Sequence, residues 1–176
     1  MIETIAFIIT GLGLTASIIY YAKVLENSNK TRELQLKAQE QALETRQAQL
    51  FMPLYETYRN KEFREQITEI WQQSWTDPND FADKYGPDAN PEAFATRVAV
   101  CSYFEGIGVL VKRDLVDIGM VNDLIANSII DTWEKIGPIF MTTRERLQNP
   151  SIFDDFEYLY NEIIKYREQI PKKPNP

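Results

Sequence analysis

The residues with the clearest chemical potential are carboxylates in apolar surroundings. Glu105 lies between Phe104 and Ile107 in the most apolar stretch after residue 50, and Glu157 begins another apolar stretch. A buried carboxylate must be neutral or paired, and Arg144 comes from a different predicted helix. We therefore expect Glu105, Arg144 and Glu157 to form a semi-buried ion-pair network that fixes the helix register. The alternative is a catalytic carboxylate, working with a second carboxylate or a metal.

A second cluster, Asp154, Asp155 and Glu157, places three acidic side chains within four residues. Such a run suggests a divalent cation site. The acidic first turn of a helix explains it equally well, because anions stabilise the positive end of the helix dipole. No D-x-D-x-D-G calcium loop is present. We therefore predict no metal and no cofactor.

Composition excludes several kinds of chemistry. The 176 residues include no His and one Cys, so neither a Ser-His-Asp triad nor an H-E-x-x-H zinc site can be built. The lone Cys101 lies on an apolar helix face, which is typical of a core residue. Residues 51–170 hold 21 acidic and 12 basic side chains, a balance that disfavours a nucleic-acid partner.

The elements that would position these residues are helices, because apolar residues after residue 50 recur at three- and four-residue spacing. Asn90-Pro91 predicts the start of a central helix that ends near Arg113, and Gly106 and Gly108 in it indicate close approach of another helix. We expect Gly137-Pro138 to separate two helices, Ser151 to cap the last helix, and residues 80–91 to form a loop. The predicted core comprises Phe94, Val98, Cys101, Phe104, Trp133, Phe156 and Leu159.

The N-terminal segment predicts a membrane anchor. Thr4 to Ala22 carry no charge, and 13 of these 19 residues are apolar. As a helix the segment would be roughly 28 Å long, close to the hydrocarbon thickness of a bilayer. The alternative, a cleaved signal peptide, would need basic residues before the apolar run. Lys and Arg follow the segment and none precedes it, so we expect the N-terminus outside and the body in the cytoplasm.

Small residues on one side of this segment favour helix packing within the bilayer. They are Ala6, Thr10, Gly13 and Ser17, although a lone helix would tolerate them equally well. Residues 30–50 are nearly all strong helix formers and predict a helical stalk. Leu36, Leu43 and Leu50 repeat every seven residues. A coiled coil also needs an apolar residue three or four positions after each leucine, and after Leu36 and Leu43 those positions are polar here. We therefore favour a solvated spacer or a helix packed on its own domain over a dimeric coil.

The chain resembles the domain of unknown function 4760 family. The motifs that carry the resemblance are residues 102–113, from Ser102 to Arg113, and 131–136, Asp131-Thr132-Trp133-Glu134-Lys135-Ile136. Two further motifs are Arg144-Glu145-Arg146 and Phe156-Glu157-Tyr158-Leu159-Tyr160. The resemblance implies a small prokaryotic helical protein, often with one N-terminal transmembrane helix. It implies no activity, cofactor or catalytic residue.

The sequence therefore predicts an all-α protein with an anchor at 1–25, a stalk at 26–50, a cytoplasmic helical bundle at 51–170 and a disordered tail at 171–176. The expected function is non-catalytic: a scaffold or accessory subunit of a membrane complex, or a homo-oligomer. Its expected partners are the lipid bilayer and a protein or a second copy. The alternatives are a carboxylate- or metal-dependent enzyme and a membrane-localised stress or defence regulator.

Overall fold

The computed structural model describes residues 2–170, with the side chains of residues 3–10 outside the described set. This part of the chain is all-α, with no strand. The predicted disordered tail at 171–176 lies outside the described residues. The seven helices are α1 (Ile2–Arg59), α2 (Lys61–Gln72), α3 (Pro78–Tyr85), α4 (Pro91–Lys112), α5 (Ile118–Leu124), α6 (Ala126–Leu147) and α7 (Asp154–Gln169).

The chain divides after Arg46 into two units. The first unit is a single helical stretch of α1, which continues without a break through Asn27-Ser28-Asn29. Asn and Ser lower helix stability by less than about 1 kcal/mol each, too little to end a helix made mostly of strong helix formers. Its large apolar side chains from residue 12 to 25 are all exposed, between 44% and 66%.

Two of the four small residues predicted for helix packing can be located in this unit. A Cβ added to Gly13 would meet nothing within 4 Å, and the Ser17 hydroxyl donates to the Gly13 carbonyl at 2.8 Å. Ala6 and Thr10 lie outside the described side chains. Among the described residues the face around Gly13 is therefore open.

The second unit is built around α4. This helix packs against α2, α3 and α7, and α6 packs against α2, α5 and α7. Aromatic rings fill the centre, with the Phe156 ring centroid 5.1 Å from that of Phe104 and 5.0 Å from that of Trp133. By length and composition α4 is the one helix among the described residues that could cross a membrane. We assign it to the core, because α2, α3 and α7 pack against it and its apolar face is buried.

Five of the seven predicted core residues are buried: Cys101, Phe104, Trp133, Phe156 and Leu159. Phe94 and Val98 are instead half-buried. Each follows a buried residue of α4, Ala93 and Arg97 respectively, and one residue turns a helix by roughly 100°. Because of this step, Phe94 and Val98 lie at the edge of the core face rather than in its centre.

Three predicted helix boundaries differ from the structure. Residues 80–91 are not all loop, because the Asp77 side chain accepts from the Asn79 and Asp80 amides and starts α3. Pro138 lies inside α6, where the preceding Gly137 packs against Trp133. The helix boundary falls earlier, at Ile125, between α5 and α6.

The last helix also begins later than expected. It starts at Asp154 rather than at Ser151, and its N-cap residue, Phe153, has left-handed backbone angles (φ 55°, ψ 38°) and makes no side-chain cap hydrogen bond. The first amides of α7 must therefore find acceptors elsewhere in the fold.

Candidate functional site

Glu105 supplies the missing acceptor for α7. Its Oε2 accepts the backbone N–H of Phe156 at 2.6 Å. Burial raises the pKa of Glu105, against the opposing effect of hydrogen bonding by the α7 backbone. The Glu105 carboxylate is thus an N-terminal cap donated by α4 to α7.

Arg144 and Glu157 form an ion pair between α6 and α7. The Arg144 Nε also donates to the Ile152 carbonyl at 2.9 Å. Glu105 makes no ion pair among the described residues, so the expected three-residue network is reduced to the Arg144–Glu157 pair. The physical reason is that the Phe156 amide of α7 holds the Glu105 carboxylate.

The acidic cluster gathers around the start of α7. One carboxylate oxygen from each of Glu105, Asp154 and Asp155 lies within 4.8 Å of the others. The ammonium of Lys112 lies 2.6 Å from the Asp155 Oδ1, and the Phe156 amide donates to Glu105. The cluster thus already has a cation and a hydrogen-bond donor, which fits a capped helix N-terminus.

Cys101 is fully enclosed in the core. Burial raises the pKa of its thiol strongly, against the opposing effect of the nearby Arg97 cation. Because the thiolate is the nucleophile, a thiol held in its protonated form fits a packing role. This position agrees with the core role expected from the sequence.

A cavity of about 380 Å³ lies between α3, α4, α6 and the segment before α7. Small-molecule sites commonly have volumes of about 300–1,000 Å³. Phe94 and Val98, the two residues displaced from the predicted core, form part of its wall. The other apolar wall residues include Phe81, Ile139, Phe140, Ile152 and Phe153.

Arg97 lies in this cavity wall and is 5% exposed. Its guanidinium carbon stands 4.6 Å from the Phe81 ring centroid and 5.3 Å from that of Phe94. The Nη2 donates to the Tyr85 carbonyl at 3.1 Å, whereas Nη1 is buried without a hydrogen-bond partner among the described residues. Burial lowers the pKa of Arg97, but an arginine stays charged in proteins.

The cavity carries positive charge on an acidic protein. Arg97 and the exposed Arg146 line it, and no acidic side chain of the described residues does. The hydroxyls of Thr142 and Thr143, also in the wall, already donate to backbone carbonyls of α6. Among the described side chains of the wall, the free hydrogen-bond donors are therefore those of the arginines.

Sequence reasoning did not identify this site. The available signal was an arginine within an apolar helix face, three residues after Phe94 and four before Cys101. Periodicity shows that Arg97 faces inward, but it does not show whether an acidic residue from another helix meets it.

These features define an all-α domain in which a carboxylate of one helix caps another and a buried arginine lines an apolar cavity. Residues 2–163 match the family described as a domain of unknown function (DUF4760), and the chain belongs to this family. No curated protein and no solved structure matches the chain at a significant level.

Proposed function

We propose that the chain is a single-pass membrane protein with its helical domain in the cytoplasm, acting by binding rather than by catalysis. The observation that carries the proposal is the apolar stretch of α1. Its side chains from Leu12 to Leu25 are exposed, although exposed runs of this kind are costly in water. A bilayer would cover them.

Hydrogen bonding in α1 suits a lipid environment. The Thr15 hydroxyl donates to the Gly11 carbonyl at 2.5 Å, and the Ser17 hydroxyl to the Gly13 carbonyl at 2.8 Å. Hydroxyls bonded in this way to the preceding turn leave no donor exposed to hydrocarbon. Lys23, Lys30, Arg32 and Lys37 follow the stretch, which supports a cytoplasmic body.

Two surfaces of α1 support association with another chain. The first is the open face at Gly13, where close packing of a second membrane helix is possible. The second is formed by Leu36 and Leu43, which are 53% and 54% exposed. We propose that the chain is an accessory or scaffold subunit of a membrane complex, or a homo-oligomer.

A non-catalytic role is supported by the way the carboxylates are used. Glu105 caps α7, Asp155 pairs with Lys112, and Glu157 pairs with Arg144. Each has a structural partner that a catalytic role would have to displace.

Membrane attachment is tested by extracting membranes with alkaline carbonate. The full chain should stay in the pellet, and the pair Leu12→Arg and Leu14→Arg should release it, because each central arginine costs about 2.5–3.5 kcal/mol on insertion. The matched control places the same two charges at Leu36 and Leu43, outside the anchor, and should stay in the pellet. Release of the unaltered chain by carbonate would refute the anchor.

Association is tested by the mass and composition of the particle released from native membranes by a mild detergent. The proposal predicts either other proteins in fixed stoichiometry or a defined multimer of this chain. A monomer travelling alone would contradict the scaffold role.

A further inference from the structure

We propose that the cavity between α3, α4 and α6 binds a small amphipathic anion, with its acidic head at Arg97 and its apolar body against the aromatic wall. The proposal is independent of the membrane function above. It names a class of ligand, a carboxylate or phosphate that carries a short hydrocarbon chain.

The first argument is the uncompensated charge of Arg97. A buried cation is normally paired, because burying an ion without a partner costs several kcal/mol. Among the described side chains Arg97 forms no ion pair, and its one hydrogen bond there is to a neutral carbonyl. The buried Nη1 has no acceptor. An anionic head group supplies both the missing charge and the missing acceptor.

The second argument is the preorganised position of the guanidinium. The Phe81 and Phe94 rings contact it, and the Tyr85 carbonyl fixes Nη2. A planar guanidinium held in this way binds carboxylate or phosphate oxygens in a defined geometry. The Arg97 guanidinium is therefore fixed in position before a ligand binds, as charged groups in binding sites are.

The third argument is the apolar wall beyond Arg97. Side chains from three helices and the segment before α7 form it, among them Val98, Ile139, Phe140 and Phe153. An inorganic anion would leave this wall uncovered, whereas a hydrocarbon chain would bury it. Exposed Arg146 adds a second positive charge in the cavity lining.

The test uses the full chain in nanodiscs of zwitterionic lipid and isothermal titration calorimetry. The probes are octanoate, octyl phosphate, octanol and inorganic phosphate. We expect saturable binding of octanoate or octyl phosphate, and at least about tenfold weaker binding of octanol, because a hydrogen-bonded charge contributes about that factor. Inorganic phosphate should bind more weakly still. Comparing the affinities of octanoate and octyl phosphate shows whether the site prefers a carboxylate or a phosphate head group.

Arg97→Met tests the assigned residue. It should abolish the preference for the anions over octanol, while the matched variant Arg113→Met, at the exposed end of the same helix, should keep it. Val98→Trp, which leaves Arg97 intact but fills the cavity, should abolish binding of all probes. Circular dichroism checks that each variant is folded.

Three results would overturn the proposal. One is equal affinity for octanol and octanoate in the unaltered chain, which indicates an apolar cavity without charge recognition. Another is an anion preference that survives in Arg97→Met. The third is the absence of saturable binding of any probe, which would leave a macromolecular segment, such as an acidic peptide of a partner, as the occupant to examine.

Discussion

The Glu105 carboxylate lies 2.6 Å from the backbone nitrogen of Phe156 and caps α7 from the neighbouring helix α4. Three residues further along α4, Gly108 allows the backbone of Asp155 to approach closely, since a Cβ there would fall 2.0 Å from the Asp155 carbonyl oxygen. The two contacts fix the register of α4 against α7, the most extensive helix pair in the domain.

The cap predicts a difference between two substitutions of Glu105. Glu105→Gln keeps an oxygen that accepts from Phe156, so the free energy of unfolding should change by less than about 1 kcal/mol. Glu105→Ala leaves the partly buried amide without a partner and should cost about 1–3 kcal/mol. Urea unfolding measures both. Equal losses would show that the cap hydrogen bond contributes nothing.

The same residue predicts a pH dependence. Burial raises the folded-state pKa of Glu105 above its ordinary value of 4.5, so the folded chain takes up this proton at a higher pH than the unfolded chain. The stability that protonation of Glu105 contributes to the fold is therefore complete below pH 4.5. It is lost as the pH rises through the folded-state pKa. From neutral pH down to 4.5, the native chain should gain stability relative to Glu105→Gln. A relative loss over this range would contradict the direction of the pKa shift.

Gly108 and Gly106 form a matched pair within α4. Gly108→Ala should destabilise the domain by about 1–3 kcal/mol or more, because the added methyl group meets the backbone of α7. The methyl group added by Gly106→Ala meets nothing within 4 Å among the described residues. This substitution should stabilise the domain by about 0.5–1 kcal/mol, since alanine favours a helix over glycine. Thermal unfolding of the two variants checks the signs. A stabilising Gly108→Ala would refute the close approach.

The two ion pairs that hold α7 should differ in strength. Arg144 is 13% exposed in its pair with Glu157, whereas Lys112 is 50% exposed in its pair with Asp155. Arg144→Met leaves a partly buried carboxylate unpaired and should cost about 1–3 kcal/mol. Lys112→Met should cost less than about 1 kcal/mol, as exposed pairs do. The reverse order in chemical denaturation would contradict this ranking.

Local sequence predicted the start of α4, where the Asn90 side chain accepts from the Ala93 amide. It missed the start of α3, although the cap residue Asp77 also lies beside its helix. The start of α7 could not be found in this way, because its acceptor, Glu105, is 51 residues away in the chain. The predicted break at Pro138 was wrong: this proline has no amide to donate to the Glu134 carbonyl, but α6 continues through it from Ala126 to Leu147.

The candidate site was less accessible to sequence reasoning than the fold. Helical spacing places Arg97 on the same side of α4 as Glu105, but the cavity depends on where α3 and α6 meet that face. Placing Phe94 and Val98 in the core was reasonable from spacing alone. Each instead lies one residue past a buried position of α4, at the edge of the core face and in the wall of the cavity.

The central claim, a single-pass anchor with the body in the cytoplasm, is tested most directly by cysteine labelling of the full chain in intact cells. The native Cys101 is fully buried, so an introduced cysteine gives the signal. An impermeant maleimide should label Ile2→Cys in intact cells and Gln39→Cys only after permeabilisation. Labelling of Gln39→Cys in intact cells, or recovery of both variants in the soluble fraction, would contradict the account.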